Sequence, residues 1–141
     1  DTTAPSTLIS GVSNAMSYNT VPLLISFNSS DSLSGLNATH FTLTKDGSIV
    51  DTSNMTSLNL TQTGAYQLNV TASDVVGNYE TKQVVNFSID VSAPAVVVTN
   101  PSGGWTNVSY NITINATDVL SGVANVTVYF SKFYKGLCYW H

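Results

Sequence analysis

The sequence predicts an all-β sandwich, built as a tandem repeat whose second copy is incomplete. Three observations support this prediction: apolar residues alternate with polar ones at period two, no twelve-residue stretch shows a helical period, and two segments recur at a near-constant spacing. The chain has 141 residues, of which 43% are hydrophobic, so it is long enough to bury a core. We therefore expect a folded β protein rather than a disordered chain.

Two segments define the repeat. The pattern Asp-x-x-Ala-Pro at residues 1–5 recurs at residues 90–94, and DSLSGL at residues 31–36 recurs as DVLSGV at residues 118–123. The offsets are 89 and 87 residues, which suits a string of small sandwich domains and is too long for a solenoid. We predict one complete domain over residues 1–89 and a partial copy over residues 90–141.

Alternation identifies the strands of the first copy. In the most regular run, Tyr66, Leu68, Val70 and Ala72 occupy every second position, as on a strand with one buried face. Clusters of Gly, Asp and Asn mark the turns between runs and divide the copy into about seven short strands. The alternating runs are residues 21–27, 66–72 and 85–89.

The second copy contains counterparts of the first three strands only, over residues 96–98, 108–117 and 123–130. It lacks the GAYQLNVTASDVVGNYETKQVVNFSID segment that closes the first copy, and ends in SKFYKGLCYWH. Half a sandwich leaves its apolar face open, so we expect strands of a neighbouring subunit to complete it, or the missing strands to follow in cis. The residues expected on this face are Ile112, Ile114, Val126 and Val128.

Charge and apolar patterning exclude two classes of partner. The net charge of −4, with four lysines and no arginine, removes the basic surface that nucleic acid binding requires. No apolar run approaches the roughly 18 residues of a membrane span, and DTTAPST lacks the features of a signal peptide, so we expect a mature chain or a piece of a longer one. A single cysteine, Cys138, excludes an internal disulfide.

Asn-x-Ser/Thr sequons are more frequent than random placement predicts. Ten of the fourteen asparagines lie in sequons, and most of those on predicted strands fall on the polar face, where a glycan would be solvated. Part of the excess follows from alternation itself, because residues i and i+2 share a face. We expect N-glycosylation at several of these positions: Asn28, Asn37, Asn54, Asn59, Asn69, Asn86, Asn107, Asn111, Asn115 and Asn125.

The acidic residues concentrate near predicted turns. If the first copy is a sandwich, Asp1, Asp31 and Asp74, with Asn78, meet at one end, and the second copy is expected to bring Asp90 and Asp118 together at its own entry. Carboxylates with Asn and backbone carbonyls would supply a weak Ca²⁺ site. The alternative, which the adjacent glycines fit equally well, is that Asp and Asn cap tight turns through their own backbone.

No catalytic constellation is evident. His40 falls on a strand and is expected to face solvent, and His141 is the last residue, so neither histidine is paired with a nucleophile or a metal-ligand set. We therefore expect no enzymatic role. Trp105 and the aromatic residues of the tail are candidates for sugar stacking or for closing the second core.

These residues resemble a known family. The Asp-x-x-Ala-Pro segments, Trp105-Thr-Asn, TDVLSG, and ASDVVGN followed by NFSID are similar to bacterial and archaeal immunoglobulin-like repeats of secreted surface proteins, over nearly all of residues 1–130. Gly64-Ala65-Tyr66 resembles the tyrosine corner of such sandwiches, although an ordinary core tyrosine is the alternative.

The resemblance implies an immunoglobulin-like β-sandwich on an extracellular cell surface. We expect a non-enzymatic structural subunit of a filament, surface layer or stalk, which associates with itself or with neighbouring immunoglobulin-like domains and carries N-glycans on an archaeal envelope. The alternative is an adhesin or carbohydrate-binding module.

Overall fold

Strands are the regular elements of this protein. The structure, a computed structural model, describes residues 1–52, 55–99, 111–129, 131–134 and 137–140, and over these residues no helix is long and apolar enough to cross a membrane. The predicted all-β class is confirmed. The chain divides into two units, residues 1–92 and residues 93–141, which are described one at a time.

The described residues of the first unit form eight strands, one more than the alternation indicated. The extra strand is β2, three residues long and therefore too short to show a period. The strands are β1 Ser6–Ser10, β2 Met16–Tyr18, β3 Leu23–Ser30, β4 Leu36–Lys45, β5 Ser48–Asp51, β6 Ser57–Leu60, β7 Gly64–Asp74 and β8 Gln83–Ile89.

Two sheets form the first unit. One has three strands in the order β1-β3-β6, and the other has five strands in the order β2-β8-β7-β4-β5. All pairs are antiparallel except β2 with β8, which run parallel. The longest strand, β7, is central in the larger sheet, so its inward face contributes most to the core.

The core lies between the two sheets and follows the predicted alternation. Leu68 and Ile89 of the five-stranded sheet and Ile25 of the three-stranded sheet are completely buried. The rings of Phe27 and Phe41 join the two sheets, with centroids 5.2 Å apart. Each such side chain stabilises the fold by about 1.5–3 kcal/mol relative to its exposed state. The buried set also includes Val12, Leu43, Leu58, Tyr66, Val70 and Phe87.

Tyr66 makes the backbone hydrogen bond that the Gly64-Ala65-Tyr66 step predicted. Its ring is buried and stacked on Phe87 at 5.3 Å, and its hydroxyl donates to the carbonyl oxygen of Gln62 at 2.7 Å. Burial and the nearby charge of Asp46 raise the pKa of the hydroxyl. This bond ties the segment before β7 to the start of the strand.

The part of the second unit that the structure describes has two strand pairs. Strand β9 (Ala95–Thr99) pairs antiparallel with β10 (Thr113–Thr117), and β11 (Ser131–Tyr134) pairs with β12 (Leu137–Trp140). The strand predicted over residues 123–130 is wrong for residues 123–129, which form no ladder. The physical reason is the missing partner: in the first unit, β4 is held by a long ladder with β7, and the described part of the second unit has no such strand.

The apolar face predicted for the second unit is exposed. Ile112, Val126 and Val128 retain 54%, 46% and 52% of their accessible surface, and Ile114 is half-buried. A groove of apolar side chains, including Val96, Val98 and Ile114, runs over this face. Such exposure is unusual for β-branched residues in an alternating sequence.

Candidate functional site

Strand registers bring three acidic segments to one end of the first unit. Strand β1 begins where β3 ends, with Ser6 opposite Ser30, and β4 begins where β7 ends, with Leu36 opposite Asp74. The segment before β1, the β3–β4 loop and the β7–β8 loop therefore meet. They carry Asp1, Asp31 and Asp74, together with Asn78, as the sequence predicted.

The carboxylates of Asp1, Asp31 and Asp74 form what we call the acidic cluster. One oxygen from each lies within 4.8 Å of the other two. None of the three makes an ion pair with a lysine of the described residues, where the recorded pair is between Lys45 and Asp46. Like charges this close repel unless a cation or a proton is shared among them.

Asp31 presents one bonded and one unbonded oxygen. Its Oδ1 accepts hydrogen bonds from the backbone of Leu33 at 3.2 Å and Gly35 at 2.9 Å, and from the Ser34 hydroxyl at 3.3 Å. These bonds account for the loop conformation, in which Gly35 has a φ of +84°. Its Oδ2 is buried without a hydrogen-bond partner, which is costly for a carboxylate oxygen.

Asp74 is almost completely buried, with 1% of its surface exposed. Its Oδ1 accepts from the Asn78 backbone at 2.7 Å, and its Oδ2 accepts from the Asn78 side chain at 2.7 Å and from the Ser34 hydroxyl at 2.8 Å. Burial alone would raise the pKa of Asp74, but the hydrogen bonds outweigh burial and hold the pKa below its ordinary value. Asp74 is therefore a carboxylate at neutral pH.

Ser34 connects all three members of the acidic cluster, and the sequence analysis did not identify it. Its backbone N–H donates to Asp1 Oδ2 at 3.0 Å, and its hydroxyl contacts Asp31 and Asp74. The repeat could have identified Ser34, because a serine occupies the same position in DSLSG and in DVLSG. Asn78 adds a second connection by donating to the carbonyl oxygens of Asp1 and Thr3, each at 3.3 Å.

The two remaining predicted ligands lie elsewhere. Asp90 directly follows β8, at the end of the first unit opposite the acidic cluster, and accepts from the backbone and hydroxyl of Ser92. Asp118 belongs to the second unit, where its Oδ1 accepts from the backbone of Leu120 and Gly122. Each of these carboxylates has the turn-capping bonds that the alternative interpretation predicted.

The acidic cluster has the chemistry of a hard-cation site. Ca²⁺ takes six to eight oxygens, and carboxylates mixed with backbone carbonyls and water are its usual ligands. Asp31 Oδ2, Asp1 and Asp74 are the residues that could hold the ion, and a cation would satisfy the unbonded oxygen. Turn capping explains Oδ1 of Asp31 and leaves its Oδ2 unexplained.

The sequon asparagines of the described residues lie at the surface. Seven of the eight are exposed, and Asn69 is half-buried on the outer face of β7. Asn54 and Asn107 lie outside the described residues. The exposed seven are Asn28, Asn37, Asn59, Asn86, Asn111, Asn115 and Asn125.

His40 is exposed on the outer face of β4, as predicted. His141 and Trp105 lie outside the described residues, as do the side chains of the aromatic tail and Cys138. None of the known protein families, curated proteins or solved structures that were compared matches the chain.

Proposed function

We propose that this chain is a non-enzymatic structural module of an extracellular surface assembly, such as a filament, surface layer or stalk, and that it carries N-glycans. The single observation that carries the proposal is the surface position of every described sequon asparagine. Ten sequons in a chain with 9% charged residues would give the surface a glycan coat in place of charge. Such a coat belongs to proteins that pass through an export pathway.

The topology supports an immunoglobulin-like module. Strands β1, β3 and β6 correspond in order to one sheet of that sandwich, and β4, β7 and β8 correspond to the core of the other. The hydrogen bond from the Tyr66 hydroxyl to the backbone just before β7 resembles that of a tyrosine corner and supports the same assignment.

The strand registers support a tandem repeat. In the first unit, Ser6 pairs with Ser30, and in the second unit, Ala95 pairs with Thr117. The two offsets read from the sequence relate these pairs: Ser6 shifted by 89 residues is Ala95, and Ser30 shifted by 87 residues is Thr117. The Asp118 turn also repeats the Asp31 turn, because both carboxylates accept from the glycine four residues on.

Peptide mass spectrometry of the protein from the cell envelope of its native cells tests the glycan part of the proposal. We expect glycan mass on several of the exposed sequons, with Asn59 and Asn111 as informative sites because they are exposed on separate units. Unmodified asparagine at all ten sequons in native material would contradict it. Protein from a bacterial expression host without N-glycosylation is the matched unmodified control.

A bound cation is favoured by one specific observation, the buried Asp31 Oδ2 without a partner. We propose that the acidic cluster binds Ca²⁺ and that the ion stiffens the end of the module at which the chain enters. Three carboxylates place the affinity in the weak extracellular class, with Kd of about 10⁻⁴–10⁻³ M. Isothermal titration with Ca²⁺ tests it directly, and Mg²⁺ serves as a comparison because its octahedral demand is stricter.

The exposed face of the second unit supports assembly by strand sharing. A strand from a neighbouring subunit would pair with the open edge and cover Ile112, Val126 and Val128, and such a head-to-tail contact extends into a filament. Hydrogen exchange of the Thr113–Thr117 amides tests this, with protection expected to rise as protein concentration rises. Strong, concentration-independent protection in a monomer would contradict strand sharing.

A further inference from the structure

Large apolar side chains are exposed on the outer faces of both sheets. In the three-stranded sheet, Leu8 of β1 and Leu24 of β3 retain 67% and 62% of their accessible surface. In the five-stranded sheet, Val84 of β8 retains 43%, and in the second unit, Val97 of β9 retains 55%. These residues point away from the core, so core packing does not explain them.

Each of these four residues lies directly opposite a sequon asparagine on the neighbouring strand. Residues paired in an antiparallel ladder point to the same face, with Cβ atoms about 4.5–5.5 Å apart. The asparagine and its apolar neighbour are therefore in side-chain contact range. The pairs are Asn28 with Leu8, Asn59 with Leu24, Asn69 with Val84, and Asn115 with Val97.

The one exception provides an internal contrast. Five sequon asparagines lie in ladders of the described residues, and Asn86 is the one with no apolar residue opposite it. Asn69 lies in a central strand and is therefore opposite two residues, Thr42 on β4 and Val84 on β8. The residue opposite Asn86 is Gln67, whose side-chain amide donates to Asn86 Oδ1 at 3.0 Å. Asn86 thus already has a polar partner on the sheet, whereas a sugar attached to the other four would lie beside an aliphatic side chain.

We propose that N-glycans on Asn28, Asn59, Asn69 and Asn115 cover these Leu and Val side chains with their first sugar. This inference rests on the proposed N-glycosylation and adds which sites are used structurally and which residues receive the sugar. Attachment forms a bond from the amide Nδ2 to the anomeric carbon of a glycosyl pyrophosphate donor. The donor's bond to its phosphate leaving group breaks, and the amide loses a proton.

The physical basis is apolar contact. A pyranose ring has a face of C–H groups, and placing this face over a leucine removes apolar surface from water without burying a charge. The polar hydroxyls at the ring edge remain solvated. A protein partner on the same face would have to displace these glycans, so the covered leucines are not a protein docking surface in the modified chain.

A double-mutant cycle on the full chain, produced in a host that N-glycosylates sequons, tests the inference. Thermal unfolding is measured for the unmutated chain, Asn59→Gln, Leu24→Ser and the double variant, with glycan occupancy checked by mass spectrometry. We expect Asn59→Gln to lower Tm by about 2–4 °C, the effect of covering part of one leucine in a domain of this size. In the Leu24→Ser background the same change should lower Tm by less than about 1 °C.

The matched control is the cycle of Asn86→Gln with Gln67→Ser, in which no apolar side chain is present. Coupling in this cycle comes from the Gln67–Asn86 hydrogen bond, so it should be the same in protein made with and without N-glycosylation, whereas the Asn59–Leu24 coupling should require the glycan. Equal losses from Asn59→Gln in both Leu24 backgrounds, with Asn59 occupied, would overturn the inference and leave the glycoprotein proposal intact. An unmodified Asn59 in this host would overturn the inference at that pair. Unmodified sequons in native material would overturn both proposals.

Discussion

Replacing Asp31 by asparagine separates the two explanations of the acidic cluster. Asparagine keeps an oxygen that accepts the bonds from Leu33, Ser34 and Gly35, so the turn persists. Asparagine also has an amide nitrogen in place of the unbonded Oδ2, and this amide can donate to the neighbouring carboxylates. Without Ca²⁺ the variant should therefore be at least as stable as the unmutated chain. With Ca²⁺ it should lose the stabilisation that the ion supplies.

The expected size of that stabilisation follows from linkage. With a Kd of about 10⁻⁴–10⁻³ M and about 10 mM Ca²⁺, binding to the native state alone adds about 1.4–2.7 kcal/mol. The first unit spans residues 1–92 and has an unfolding entropy of about 190 cal/mol/K. One kcal/mol therefore corresponds to about 5 °C, and we expect Ca²⁺ to raise Tm by about 7–14 °C.

Differential scanning calorimetry with Ca²⁺ or with excess chelator measures this shift. Asp46→Asn is the control, because Asp46 lies in the β4–β5 turn, away from the acidic cluster, and asparagine tolerates its φ of +50°. The control should keep the Ca²⁺ shift and Asp31→Asn should lose it. A Tm unchanged by Ca²⁺ in the unmutated chain, or an undiminished shift in Asp31→Asn, would refute the cation and leave turn capping.

Three further predictions concern the first unit. Gly11 and Gly77 share a φ of +95°, but a Cβ at Gly11 would lie 2.0 Å from the Leu24 carbonyl oxygen, whereas a Cβ at Gly77 would meet open space. Calorimetry should therefore show that Gly77→Ala lowers the free energy of unfolding by about 1 kcal/mol and that Gly11→Ala lowers it several-fold more, and equal losses would contradict the clash. Tyr66→Phe should lower the free energy of unfolding in urea by about 1 kcal/mol, because it removes the hydrogen bond to Gln62, and an unchanged stability would contradict a stabilising role for this bond. Spectrophotometric titration should show that the Tyr66 pKa is raised above its ordinary value. Because the native pKa of Asp74 is lowered, the stability that its carboxylate contributes is present above the ordinary carboxyl pKa near 4 and is lost as pH falls through the native pKa. The loss of unfolding free energy caused by Asp74→Asn, measured in chelator, should therefore shrink between pH 7 and pH 2. A loss that does not change with pH would contradict this.

Period-two alternation was sufficient to predict the core strands. Tyr66, Leu68 and Val70 are buried as predicted, because a strand between two sheets must direct every second side chain inward. The same rule placed the sequon asparagines on outer faces. The meeting of Asp1, Asp31 and Asp74 was also predictable, since antiparallel connections return the chain to the same end of a sandwich.

Other features depend on pairing, which a single strand does not encode. The three-residue β2 is defined by its parallel contact with β8, and its sequence has no period of its own. Residues 123–129 have a strand-like alternation yet form no ladder, because a strand needs a neighbour for its backbone hydrogen bonds. The apposition of Asn59 with Leu24 likewise depends on the register of β3 with β6.

We propose that the chain is a structural module on the outside of the cell. Antibodies raised against the first unit and applied to intact native cells, followed by gold labelling and electron microscopy, test this most directly. We expect label on unpermeabilised cells, distributed along a surface layer, stalk or filament, with no gain after permeabilisation. Label that appears only after the envelope is permeabilised would contradict it.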